Sequence, residues 1–119
     1  MTDITVRVVE QLNKVLPTYY EMFLDNSQPL PCISYTQIEN ADEALGNYRA
    51  WSRITYKIKI WCNQVSDITQ YGIDIDNKLA EIGRFHRNGV QDIRYGDLIC
   101  RIMDYTILVN EIFDMSRYL

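Results

Sequence analysis

The chain has 119 residues, 47% of them hydrophobic and 24% charged. That is the size and balance of one globular domain able to bury a core of its own, which excludes a disordered chain and a small disulfide-stapled one. Twelve basic residues against sixteen acidic ones give a net charge of −4. This argues against a general nucleic-acid binder, which needs clustered Lys and Arg to neutralise phosphates, and leaves open a protein that lets DNA pass without sticking to it.

Residues 3–16 are predicted to form a helix. Thr2 or Asp3 can cap it, Val6, Val9, Leu12 and Leu16 form its apolar stripe, and Pro17 ends it. The opening MTDITVRVVEQ carries an early acid and no apolar core, so it does not read as a secretion signal. Residues 18–24, TYYEMFL, fit a short strand by their aromatics, with helix as the alternative because of Met22 and Leu24. DNSQPLP at 25–31 is a turn by composition, and CISYTQIE at 32–39 reads as a second strand. NADEALGNYRA at 40–50 is expected to be a loop turning at Gly46 and Asn47. It is either a place of assembly contacts or a solvated mobile connection.

The stretch 51–62, WSRITYKIKIWC, has the clearest pattern in the chain. Ile54, Tyr56, Ile58, Ile60 and Cys62 alternate with Arg53, Thr55, Lys57 and Lys59. Period two with one apolar side marks a strand with one face in a core. The other face is either wet or covered by another subunit.

A second helix follows at 66–82, with Ser66 as N-cap and Asp67 at its positive start. Ile68, Tyr71, Ile75, Leu79 and Ile82 form its buried stripe, Asp74 and Lys78 are spaced to pair, and Gly83 closes its end. RFHRNG at 84–89 reads as a short strand ending in an Asn-Gly turn, and 90–97 as loop. LICRIMDYTILVN at 98–110 is the last long strand, in which Asp104 points to a bulge or an edge position. The order predicts a single α+β domain over 1–119, a mainly antiparallel β-sheet with two α-helices packed on one face.

Catalytic chemistry finds little support. His86 stands between Arg84 and Arg87 with no partner in its neighbourhood, and it reads as a surface residue. Cys32, Cys62 and Cys100 are odd in number and widely spaced, which suits reduced thiols of a cytoplasm better than a disulfide framework or a zinc site. The five glycines make no phosphate-cradling loop. Asp74 and Asp76 point about 200° apart on a helix and do not converge, so with Glu81 they read as a solvated face. Arg84, Arg87, Arg94 and Arg101 lack interleaved aromatics. No apolar run approaches the ~18 residues of a membrane span, so no membrane partner is expected. No cofactor, no metal and no enzymatic activity are expected. The nine tyrosines and two tryptophans are the more informative surplus, either at a protein interface or half-buried around the sheet edge.

The run PCISYTQIENADEALGNYRAWSRITYKIKIWCNQVSDITQYGIDIDNKLAEIGRF resembles the small tail-terminator, tail-completion and tail-to-head joining proteins of long-tailed bacteriophages and prophages. Pro31, Ile33 and Tyr35 match a Pro–aliphatic–Tyr strand. Trp51, Ser52, Arg53, Ile54, Tyr56, Ile58, Ile60 and Trp61 match the long strand, and an aliphatic helix with an acidic middle follows. The last strand with its Tyr105 is similar too, so the likeness spans roughly residues 15–110. It departs after Gly83 and again after Asn110.

The resemblance implies a virion structural protein. It would form a homo-oligomeric ring, generally a hexamer, on the tail tube protein, end tail polymerisation and meet the head connector protein, with DNA passing through the lumen. It also implies assembly in the host cytoplasm followed by residence in the virion tail. No active site is carried over. The expected interface comprises Asp42, Glu43, Tyr48, Arg49, Trp51, Arg53, Lys57 and Lys59. The alternatives are another head–tail connector or minor tail protein, and a small ligand-binding α+β domain, which calls for a concave pocket with convergent polar groups.

Overall fold

The computed structural model describes residues 4–21, 28–45 and 48–110, with side chains at 4–21, 28–38 and 52–109. The elements run α1 (Thr5–Asn13), β1 (Thr18–Tyr20), β2 (Cys32–Leu45), β3 (Tyr48–Cys62), α2 (Val65–Ala80), β4 (His86–Tyr95) and β5 (Leu98–Asn110). The five strands make one sheet in the order β1-β2-β3-β5-β4. β1 lies parallel to β2, and every other pairing is antiparallel. Both helices pack on one face, so the fold is α+β as the element order predicts. Among the described residues no helix is long and apolar enough to cross a membrane.

β3 organises the core. Ile54, Tyr56, Ile58, Ile60 and Cys62 are each at most 2% exposed. They meet Ile33 of β2, Met103, Tyr105, Ile107 and Val109 of β5, Ile4, Val8 and Leu12 of the α1 segment, and Ile68, Ile75 and Leu79 of α2 in one cluster. Polar groups in this layer find partners. Tyr56 OH shares a 2.8 Å hydrogen bond with Thr5 Oγ1, tying α1 to the sheet. Gln11 donates to the Lys78 carbonyl at 2.6 Å, tying α1 to α2. A buried phenol or amide without a partner would cost about 1–3 kcal/mol.

Several expectations change. The α1 stripe is Ile4, Val8, Gln11, Leu12 and Leu16, while Val6 is 65% exposed. Of the positions expected to be buried in α1, Leu12 and Leu16 are, and Val9 is half-buried. Thr2 and Asp3 lie outside the described residues, as do 22–27, Gly46 and Asn47, and the residues beyond Asn110. α2 starts from Gln64 without a side-chain cap, so Ser66 is not its N-cap. Asp74 accepts from Gln70 at 2.9 Å, and Lys78 pairs with Glu81 at 3.3 Å instead of with Asp74. Gly83 closes the last turn through its N–H to the Leu79 carbonyl at 3.2 Å.

The two predicted loops are strands. Residues 40–45 continue β2, because Asn40 through Glu43 find backbone partners in Ile54 through Trp51. Pairing with a strongly extended neighbour outweighs the poor strand propensity of Asn, Asp and Ala. Residues 90–95 belong to β4, joined to β5 by Gly96 and Asp97. Gly96 has φ +59°, the left-handed value that a two-residue hairpin with glycine first requires. Asp104 is not at an edge: β5 lies between β3 and β4, and the bulge sits across from it on β4 between Arg87 and Gly89.

Gly72 faces the sheet from the middle of α2, and a Cβ there would meet Arg101 Nη1 at 3.6 Å and Met103 Sδ at 3.8 Å, both ordinary contacts. Gly72→Ala therefore raises stability by about 0.5–1 kcal/mol through helix propensity alone. Urea denaturation checks this, and a fall in midpoint would mean that the helix sits closer to the sheet than these distances allow.

Candidate interaction surface

The sheet face away from the helices is where β3 places its polar row. Arg53, Lys57, Lys59 and Trp61 are half-buried there, and Thr55 is buried. Register sets their neighbours. Trp61 lies between Cys32 of β2 and Cys100 of β5, Lys59 between Ser34 and Ile102, Lys57 between Thr36 and Asp104, and Thr55 opposite Thr106. Long side chains lying along a sheet keep their charged ends near water while their stems cover the strands.

The contacts on this face form three groups. At one end Trp61 Nε1 donates to Ser34 Oγ at 2.9 Å, and its ring lies 5.7 Å from that of Tyr95. This roofs Cys32 and Cys100, each 1% exposed. Next to it Lys59 pairs with Glu21. Towards the other end Thr55 and Thr106 hydroxyls share a 2.9 Å hydrogen bond, and Asn88 donates to Thr106 at 2.9 Å. Asp104 Oδ1, between these groups, is a buried oxygen with no hydrogen-bond partner among the described residues. A shallow hollow of about 270 Å³ lined by Lys57, Asn88, Gly89, Val90, Gln91, Ile102 and Asp104 opens beside it.

Burial pushes the Cys32 thiol up and the Cys100 thiol up to about 11, the charge of Lys59 opposing the latter only in part. These are protonated, inert packing groups. Cys62 points to the helix face, where it is 2% exposed. Cys32 and Cys100 sit on strands separated by β3, about 10 Å apart at two strand spacings, beyond disulfide reach. The described residues contain no cluster of three or more His, Cys, Asp or Glu that could hold a metal.

Of the eight residues expected at an interface, Arg53, Lys57 and Lys59 share this face. Asp42, Glu43, Tyr48, Arg49 and Trp51 lie in the distal part of the β2–β3 hairpin, where Asp42 pairs with Ser52, Glu43 with Trp51 and Leu45 with Tyr48. The side chains of these five lie outside the described residues. Glu21, Trp61, Tyr95 and Asp104 are members of the face that spacing did not single out. The Gly96–Asp97 pair before Leu98 was the signal for the hairpin that brings Tyr95 there.

A second concavity, about 500 Å³, opens where α2 ends over β4 and β5, lined by Asp76, Ala80, Gly83, Arg84, Phe85, Arg87 and Tyr105. Tyr105 OH donates to Asp76 Oδ1, and Arg87 Nη1 donates to Asp76 Oδ2 at 2.7 Å. Asp76 is thus held by the sheet rather than being part of a solvated face, while Asp74 points elsewhere. Burial, then the bond to Asp76, raises the Tyr105 pKa above its ordinary value. The phenol stays protonated, and each Asp76 oxygen accepts one hydrogen bond. Arg84 and Arg87 line this cleft together, while Arg101 is tied bidentately to Asp92 at 2.8 and 3.0 Å. His86 is exposed.

No protein-family model matches the chain, and no curated protein matches it significantly.

Alkaline stability reports the burial of Cys100. Its ordinary value is 9.0, so above that pH the unfolded chain releases a proton that the folded chain holds until about 11. Stability falls across that interval by at most about 1.4 kcal/mol per pH unit. Denaturation at pH 8, 9.5 and 11 should show a steeper decline in the parent than in Cys100→Ala; equal slopes would mean that the thiol is not shielded.

Tyr105→Phe removes one hydrogen bond from Asp76 and should cost about 1 kcal/mol, read from urea denaturation at pH 7. No loss would mean that the Tyr105–Asp76 contact does not persist in solution.

Proposed function

We propose that this chain is a virion structural protein that closes a ring on the end of a phage tail tube, ends tube growth and presents the surface that joins the head. The observation that supports it best is the division of labour across the sheet. One face carries the whole helix-packed core, and the opposite face has no element of the chain over it among the described residues. That free face and the 14- and 15-residue strands of the β2–β3 hairpin are the long features of the molecule. The hairpin contributes to extents of 52 × 25 × 22 Å and a radius of gyration of 15.1 Å, against about 13.5 Å for a rounded domain of this length. Extended arms and uncovered sheet faces suit subunits that contact copies of themselves. The strand patterns around Pro31, Tyr35 and Trp51–Trp61 add the resemblance to tail-terminator and joining proteins.

In this reading the partners are five further copies, the tail tube protein and the head connector. The acidic balance of the chain lets DNA through the lumen without holding it. Assembly takes place in the host cytoplasm and the ring remains in the virion neck. The role is structural rather than catalytic.

The cleft at Asp76, Arg87 and Tyr105 favours a second reading, a monomeric ligand-binding α+β domain. That reading requires saturable chemical-shift changes at Phe85 and Tyr105 on adding a ligand, with no assembly.

The direct assay adds purified protein to tails that lack their terminator and measures joining to filled heads. The parent chain should restore joining. Trp51→Ala and Arg53→Ala should each reduce it by about tenfold or more while leaving circular dichroism unchanged. Failure of the parent chain on every tail tested, or full activity of both variants, would count against the ring and against this surface respectively.

A further inference from the structure

Among the described residues the sheet has two edges without a full-length neighbouring strand, on opposite sides. β1 covers β2 only at Ile33, Ser34 and Tyr35. Among the described residues, positions 36–45 of β2 therefore have β3 on one side and no strand on the other. On the far side β4, ten residues long, pairs with β5 alone. β4 contributes little to the core: every residue but Ile93 is exposed. Of the seven large apolar side chains exposed among the described residues, three stand on these two strands: Ile38 at 49%, Val90 at 47% and Tyr95 at 51%.

Unpaired strand edges template the addition of another strand, and monomeric proteins block them with Lys, Pro, bulges or a covering element. Positions 36–45 read TQIENADEAL, with no Lys, Arg or Pro and three acids, Glu39, Asp42 and Glu43. β4 reads HRNGVQDIRY; Asp92 is engaged by Arg101 and Arg87 by Asp76, which leaves the charge of Arg94. The two edges are opposite in charge. Their strand sense also fits. β2 and β5 run one way, β3 and β4 the other, so a second copy set beside the first in the same orientation brings its β4 antiparallel to β2. Bulges, which blunt an edge locally, fall at Ile38 and Ala44 on β2 and at Asn88 on β4. The regular stretches 39–43 and 89–95 remain, enough for an ordinary pairing of about five residues.

We infer that β4 of one copy adds antiparallel to the open edge of β2 on the next, so that one sheet continues from subunit to subunit. The contact is heterologous. Each added copy leaves a free edge, and growth stops only when the twist between neighbouring strands returns the last copy to the first. Pairing of β2 with β2, or β4 with β4, would instead oppose like charges and end at two copies. This pairing gives the proposed ring its subunit contact and rests on that reading for its role, but it is tested without tails.

Two charge-swapped chains make the test. One carries Glu39→Lys with Asp42→Lys, so both its edges are basic; the other carries Arg94→Glu, so both are acidic. Sedimentation and native mass spectrometry follow assembly up to about 1 mM, where even weak contacts are populated. The parent chain should assemble. Each variant alone should need roughly tenfold more protein, and an equal mixture should assemble like the parent with the two chains alternating. Cysteine pairs check the register independently: a copy with Asp42→Cys and a copy with Gln91→Cys should cross-link in mixture and not separately. If a charge variant loses its folded circular dichroism, this cross-link decides alone. A parent chain monomeric at 1 mM, a mixture no better than its components, or cross-linking of Asp42→Cys to itself each overturns the pairing. Restored tail joining by a chain with any of these results overturns the pairing and leaves the ring standing; normal edge pairing with no joining on any tail does the reverse.

Discussion

The fold depends on one side of β3 being dry. Five consecutive inward positions from Ile54 to Cys62 are buried against both helices and the neighbouring strands. Each large apolar side chain so buried contributes about 1.5–3 kcal/mol, and the set approaches the whole net stability of an ordinary domain, about 5–15 kcal/mol. A shift of register by one residue would carry Lys57 and Lys59 into that layer and expose the isoleucines. The pairing of β2 and β5 to β3 is therefore held by burial as much as by backbone hydrogen bonds.

The same alternation gives the opposite face its character. It cannot be apolar, because β3 supplies Arg53, Thr55, Lys57 and Lys59 to it. Yet it is not freely wet: Thr55, Cys32, Ser34 and Cys100 are buried there under longer side chains. The polar groups mostly satisfy one another locally, through Trp61 to Ser34, Lys59 to Glu21 and Thr55 to Thr106. Among the described residues Asp104 Oδ1 is the exception, a buried acceptor without a hydrogen-bond partner. A surface of this kind, partly dry and incompletely satisfied, gains from a partner that supplies matching polar groups.

The helix side offers a contrasting arrangement. Asp76, Arg87 and Tyr105 close on one another at the end of α2, and Arg101 closes on Asp92 beside Thr69. These pairs fix α2 and β4 over β5. Among the described residues, the sheet's back face and its two outer edges carry no further element.

Period two at residues 51–62, the apolar spacing of α2 and the turn chemistry around Pro17 were enough to place the central strand, the second helix and the helix-packed face, because those patterns act over a few neighbouring residues. The last strand was legible over 98–110 for the same reason. Residues 40–45 and 90–95 were not, since their own propensities favour loop and only a paired strand alongside makes them extended. Of the expected interface, Arg53, Lys57 and Lys59 share a face by simple alternation. Trp61 over Ser34, Tyr95 beside Trp61, and Asp76 under Tyr105 join residues as much as 34 positions apart. Local alternation set which side of each strand meets the core; strand order, which depends on contacts between distant segments, decided which of the described strands have a neighbour on both sides and which on one.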